Sequence, residues 1–311
     1  MSALRPWSDS QVAAFEALKA ASDKRAEAAA DRADFTGGVQ WKTVKGREYL
    51  IHWHFDPVTG ARRFDSLGPR SPKTEAWHRR FLEGRDGARR RLDRLDEELR
   101  ARSADAKAKK IGHAPVAVGD VLRAVAAAPD LRDHAVLVGS YALLAYEARC
   151  TIPGELLALP DARPDLDLLV HDKADVDVIE RLLGGLDSAY RREGPGGQRF
   201  AGPVTIDCFT HANIAAIGEQ IYGAWRQEEF LDAVRTPPIN SYLVDRSGAI
   251  APMKVLSIAS SATLFALRAE SDFRNADERA LDRNRAAIVA EIAENIAGTS
   301  AYDEEAPKFI F

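Results

Sequence analysis

The sequence predicts an α+β protein built from a basic N-terminal helix–β-hairpin–helix arm (1–110), a mixed-sheet core (116–250) and a helical C-terminal cap with an acidic tail (251–311). Three observations carry this. Strand-like and helical runs alternate after residue 115. An aromatic, β-branched run sits between two helical runs before it. The charge also divides: residues 1–110 hold 24 Lys+Arg against 17 Asp+Glu, a balance of +7, and the remainder holds 19 against 30, a balance of −11. A basic front and an acidic back point to different partners, phosphates for the first and metal for the second.

Ser8-Asp9-Ser10-Gln11 fits a capping box, and Val12, Phe15 and Leu18 recur at helical spacing, so a helix is expected over 8–33, ended by Gly37-Gly38. The run VQWKTVKGREYLIHWHFD, the turn Asp56-Pro57-Val58-Thr59-Gly60 and the run ARRFDSLG read as a hairpin or small meander over 39–67. Ser71-Pro72 opens the next helix, in which Leu92, Leu95 and Leu99 form a seam within the molecule or between two copies. Gly84 and Gly87 weaken its middle, leaving one helix or two. Residues 101–115 read as a basic linker. The run Arg85–Lys110 carries ten cations but six anions and reads as a solvated face.

Beyond the linker come a short helix (VGDVLRAVAAA), a buried strand (134–138), Gly139-Ser140 with a helix starting there, and a loop holding Pro153, Pro160 and Pro164. The strand DLDLLV (165–170), a helix around 174–184, strand-like YRRE and QRFA around Gly194–Gly197, and the strand VTIDCF (204–209) follow. Residues 252–297 read as mostly helical. There is no internal repeat. No apolar run approaches the roughly 18 residues of a membrane span. Two cysteines leave no disulfide framework or zinc knuckle, and the opening residues MSALRPWSDSQ lack a secretory apolar stretch, so a cytoplasmic location is expected.

The chemistry concentrates between 134 and 209. Residues i and i+2 of a strand share a face, so Asp165 and Asp167 project together while Leu166 and Leu168 face the core. Close carboxylates repel unless a cation separates them, and Mg²⁺ or Mn²⁺ suits an all-oxygen site. Asp207 on a neighbouring strand would complete a two-metal site for in-line phosphoryl displacement. Gly139-Ser140 at a helix N-terminus suits phosphate, through exposed N–H groups and a hydroxyl. Asp175-x-Asp177 is discounted, because residues two apart on a helix do not share a face.

An apolar strand ending in Gly-Ser, then Asp-x-Asp on one strand and Asp on another, resembles the DNA polymerase β-like nucleotidyltransferase superfamily. Here those elements are VLVGS, DLDLLV and VTIDCF. With VKGREYLIHW, SLGPRSPKTEA and VLVGSYALLAYEA, nearly the whole chain is similar to a branch of small bacterial proteins of that fold. The resemblance implies a nucleotidyltransferase-like sheet core and transfer of a nucleoside monophosphate from an NTP, ATP among them, to a hydroxyl. It implies Gly139 and Ser140 on the triphosphate, Asp165 and Asp167 on metal, and Asp207 on metal and on the acceptor hydroxyl. The acceptor is left open: an RNA end, a protein side chain or a small molecule. Two other readings are a non-catalytic nucleic-acid-binding or scaffold protein on the same fold, and a toxin-like enzyme modifying tRNA. The chain departs from the pattern in the 24 residues between Ser140 and Asp165, longer than in minimal members, which often also have a second Gly soon after the Ser. For the basic residues that related proteins place on C-terminal helices facing the nucleotide, Lys254, Arg268, Arg274 and Arg279 are the candidates.

His52-x-His54 lies on an expected strand, where both imidazoles would share a face. With no Cys or acidic cluster beside them in sequence, they read as surface histidines flanking Trp53. The hairpin itself mixes Trp41, Tyr49, Trp53 and Phe55 with Lys42, Lys45, Arg47, Arg62 and Arg63, and is similar in composition to the small sheet arms of phage-type integrases. Aromatic and basic residues together suit RNA or DNA. The alternatives are aromatics packed on the helix at 72–99, or a clasp between two copies of the chain.

Overall fold

The computed structural model describes residues 7–56, 61–150, 164–194, 198–222, 226–272 and 274–298. The expected turn at Pro57–Gly60, the insertion with Pro153 and Pro160, the glycines 196 and 197 and the acidic tail lie outside them. The described chain is mixed α+β and divides into two compact units, residues 20–101 and residues 7–19 with 102–298. No helix among the described residues is long and apolar enough to cross a membrane.

In the first unit, β1 (Gly38–Val44), β2 (Arg47–Phe55) and β3 (Arg62–Pro69) form an antiparallel sheet in the order β1-β2-β3. The arm therefore carries a three-stranded meander rather than a hairpin. Lys45 and Gly46 connect β1 to β2, both at positive φ (51° and 75°), as a two-residue turn matched to strand twist requires. Opposed residues share a face. Trp41 and His52 on one face meet the helix α2 (Pro72–Ala108): the Trp41 ring lies 5.7 Å from His78, and the His52 ring 5.4 Å from Phe81. The other face carries Lys42, Arg47, Tyr49, Trp53, Phe55, Arg62 and Phe64. The helix α1 (Asp9–Ala33) is bound to α2 by Arg25–Asp96 and Arg91–Asp31.

Of the two alternatives for α2 the structure has one helix, of 37 residues, and the expected linker is corrected, since the last eight residues of the helix take up its start. Its Arg, Glu, Ala and Leu content outweighs two glycines at roughly 1 kcal/mol each. Gly84 also has a packing reason: a Cβ there would lie 2.3 Å from the ring of Phe35.

The second unit holds a seven-stranded mixed sheet in the order β6-β7-β8-β5-β4-β10-β9. Its strands are β4 (Val136–Val138), β5 (Asp165–Val170), β6 (Arg191–Glu193), β7 (Arg199–Ala201), β8 (Thr205–Thr210), β9 (Ile239–Val244) and β10 (Ile250–Val255). The start of the segment read as helical is thus a strand, β10. Pro252 disguised it, and is tolerated because β4 pairs only with Lys254 and Val255, leaving no ladder on that side at Pro252.

Leu137, Leu166, Leu168, Val170, Ile206 and Cys208 face a core shared with α3 (Val116–Ala127), α4 (Ala142–Cys150) and α5 (Lys173–Leu186). The opposite face, with Val136, Val138, Leu169 and Phe209, packs under α6 (Ile214–Tyr222), α7 (Gln227–Arg235) and α8 (Ile258–Glu270) through Ile214, Phe230, Val234, Leu264 and Leu267. The last helix, α9 (Ala276–Gly298), packs on α8 and on α4.

Candidate functional site

The register of three strands assembles the site. In the antiparallel β4–β5 pair Val138 stands opposite Asp167, and in the parallel β5–β8 pair Asp167 stands opposite Asp207. Asp165 is two residues before Asp167 on the same face. The three carboxylates each present an oxygen within 4.8 Å of the others. Gly139, next to Val138, comes against Asp167: a Cβ on it would lie 2.1 Å from Oδ2 of Asp167. The missing side chain of Gly139 is therefore the space the Asp167 carboxylate fills. Its φ of +72° also favours glycine.

The helix expected from Gly139-Ser140 begins two residues later. Three i→i+3 turns lead into it, from Gly139, Ser140 and Tyr141 carbonyls to the N–H groups of Ala142, Leu143 and Leu144. The Ser140 hydroxyl accepts a hydrogen bond from Arg285 of α9 at 3.0 Å.

The electrostatics follow first from burial and then from the crowding of the carboxylates. Burial, reinforced by Asp165 and Asp207 and opposed by Arg268, pushes Asp167 up to about 7. Burial also raises Asp207, with Asp165 adding to the shift and Arg199 opposing it. Arg199, its cross-strand neighbour, donates to Asp207 at 3.1 Å. A carboxylate group with this much mutual repulsion is a site where a cation is favourable, and an all-oxygen donor set suits Mg²⁺ or Mn²⁺.

Two adjoining clefts open on these residues. One, of about 200 Å³, is lined by Gly139, Asp165 and Asp167, by Phe209, Phe230 and Phe265, and by Arg268 and Arg274. The other, also about 200 Å³, is lined by Arg199, Gln198 and Asp207. Phe209 and Ile217 belong to both walls.

Of the four basic candidates of the C-terminal region, Arg268 and Arg274 line the first cleft. Lys254 donates to the carbonyl of Asp133, before the start of β4, and Arg279 is not among the lining residues. Sequence reasoning missed Asp282 and Arg285. Asp282 is 1% exposed and faces Arg268 at 3.6 Å, Arg274 at 3.7 Å and Arg285 at 3.3 Å. A signal was available: Asp282, Arg285, Ala286, Val289 and Ile292 share one helical stripe, so two charges sit on the buried face of α9.

Asp175 and Asp177 stand apart from the triad, on α5. Asp175 is buried, completes a capping box with Asp172, and lies 3.0 Å from His134. It is a structural residue, so its removal would be felt in stability. In the arm, Lys42, Lys45 and Arg47 are exposed. Arg62 lies over the rings of Trp53 (4.0 Å) and Phe64 (5.1 Å), and Arg63 pairs with Asp56 at 3.1 Å on the opposite face.

Comparison of the chain with family models, with curated proteins and with solved structures gives no match in any of the three.

Proposed function

We propose that this chain is a metal-dependent nucleotidyltransferase that moves a nucleoside monophosphate from an NTP to a hydroxyl acceptor. The observation that carries the reading is the convergence of Asp165, Asp167 and Asp207 within 4.8 Å beside Gly139, on a cleft that also holds Arg268 and Arg274. Asp165 and Asp167 would hold Mg²⁺ with Asp207, and the bound cation supplies charge to the attacking and leaving oxygens of an in-line displacement.

The residues divide the remaining work. Arg268 and Arg274 neutralise the triphosphate, and Asp282 fixes their positions. Phe209, Phe230 and Phe265 give the base an apolar, aromatic wall. Asp207, reached from the second cleft, takes the proton of the acceptor hydroxyl. The acceptor oxygen then bonds to the α-phosphorus, the bond from that phosphorus to the bridging oxygen breaks, and pyrophosphate leaves with the electron pair. Donor and acceptor thus enter from adjoining clefts that meet at the carboxylates.

The outer face of the arm sheet favours a polymer as acceptor. Exposed Lys42 and Arg47 lie among Tyr49, Trp53, Phe55 and Phe64, the mixture that stacks on bases and neutralises phosphates. The test is incubation with each α-labelled NTP, Mg²⁺ or Mn²⁺, and total cellular RNA and protein. Label should enter one acceptor class with release of pyrophosphate, and not with Asp167→Asn. No transfer under any donor, or equal transfer by the variant, overturns the reading.

A further inference from the structure

The arm sheet brings a second, chemically different group of ligands together. His52 and His54 are two residues apart on β2 and share a face. β3 places Asp65 directly opposite His52. Each of the three offers a ligand atom within 4.8 Å of the others. The acid that joins the two histidines is therefore delivered across the strands, while Asp56, two residues after His54, pairs with Arg63.

Two details distinguish this cluster from an ordinary His–Asp contact. First, Nε2 of His52 lies 3.2 Å from the carbonyl oxygen of Thr36. A carbonyl only accepts, so Nε2 carries the proton and the neutral ring keeps its lone pair on Nδ1. A backbone carbonyl in that position is the outer-shell arrangement that orients a metal-ligating histidine. Second, Nδ1 of His54 is buried and has no hydrogen-bond partner among the described residues, although Oδ2 of Asp65 is 3.3 Å away. The two atoms are close but misdirected for a hydrogen bond. The 3.3 Å separation, an ordinary ion-pair distance, is also compatible with one edge of a tetrahedron with bonds of roughly 2.0–2.1 Å, the length of Zn–N and Zn–O bonds.

We propose that His52, His54 and Asp65 bind one borderline transition-metal dication, Zn²⁺, which clamps β2 to β3. Two imidazoles and one carboxylate favour Zn²⁺ over Mg²⁺ or Ca²⁺, whose preference is for oxygen alone. Three protein ligands leave a fourth position for water. The rings of Trp77 and Phe81 beside His52 hold it from the α2 side. The site is independent of the Asp165, Asp167 and Asp207 carboxylates, which have only oxygen to offer.

The test uses the full chain in saturating Mg²⁺, so that the oxygen site is filled. Zn²⁺ is titrated against a chromophoric chelator, and Co²⁺ is added separately as a visible-absorption probe. One Zn²⁺ per chain should bind, and Co²⁺ should show the intense bands of four-coordination. Asp65→Asn and His54→Gln should each weaken Zn²⁺ by more than about 100-fold, beyond the roughly 10–100-fold cost of losing an outer-shell partner. Asp65 is 59% exposed by its side chain, so its replacement leaves the sheet intact, which circular dichroism checks. Asp167→Asn should bind Zn²⁺ as the unaltered chain does. No stoichiometric Zn²⁺ binding by the unaltered chain overturns the proposal without any variant. Binding unchanged in both arm variants, or lost instead in Asp167→Asn, overturns it as well.

Discussion

Replacing Gly139 by alanine adds one methyl group at the centre of the carboxylate site. The left-handed backbone there, φ +72°, costs an L side chain about 1–2 kcal/mol. The larger effect is local. The new Cβ would stand 2.1 Å from Oδ2 of Asp167 and 3.0 Å from its carboxyl carbon, against an ordinary contact beginning at 3.4 Å. The carboxylate oxygen has to retreat by more than an ångström, whereas a metal ligand holds its distance to about 0.2 Å. Gly139→Ala should therefore lose metal affinity as Asp167→Asn does, by about 100-fold or more, equivalent to roughly 3 kcal/mol of binding. The fold should lose the left-handed cost and about 1–3 kcal/mol more for the displaced carboxylate. Calorimetric titration with Mn²⁺ beside urea denaturation measures both. A Gly139→Ala protein that binds Mn²⁺ within about threefold of the unaltered chain would refute the assignment of Asp167 as the central ligand.

Three further outcomes are expected. Asp282→Ala leaves Arg285, 5% exposed, and Arg268 without their shared anion, so the fold should lose about 3–5 kcal/mol in urea denaturation; a loss under about 1 kcal/mol contradicts the hub. In chelator, the raised Asp167 means that the folded chain binds a proton more tightly than the unfolded chain. The contribution of Asp167 to stability should then be fullest below about pH 4, fall as pH rises toward about 7, and level off above it, by about 4 kcal/mol at most. Asp167→Asn should flatten that slope between pH 5 and 8, and equal slopes contradict it. In the arm, exchanging Lys42 and Arg47 for Glu should weaken RNA or DNA binding in gel shifts and reduce its salt dependence, while NTP binding stays the same. Unchanged polymer binding assigns the outer face another role.

Much of this molecule is legible from local pattern. The strands carrying Asp165, Asp167 and Asp207 announce themselves in the sequence, and the three acids stand out there through the strand pattern together with the Gly-Ser turn and the resemblance it carries. Gly139 stands out in the sequence as a residue for phosphate approach. Its contact with Asp167 depends on antiparallel pairing of β4 with β5, which no local pattern encodes. Asp65 escaped for the same reason, since it joins His52 only across strands. β10 was obscured by Pro252, whose tolerance comes from the shortness of β4. Asp282 and Arg285 were visible as charges on an apolar stripe, but their purpose needs the positions of Arg268 and Ser140, which come from elsewhere in the chain.

The three carboxylates on β5 and β8 are proposed to form a hard-metal site that works with a nucleotide. Mn²⁺ electron paramagnetic resonance on the full chain, in the presence of a non-hydrolysable NTP, counts the ions directly. Two Mn²⁺ per chain are expected with the nucleotide present, fewer without it, and none held tightly by Asp167→Asn. Mn²⁺ that stays fully free with nucleotide present, or the same count in Asp167→Asn as in the unaltered chain, would contradict it.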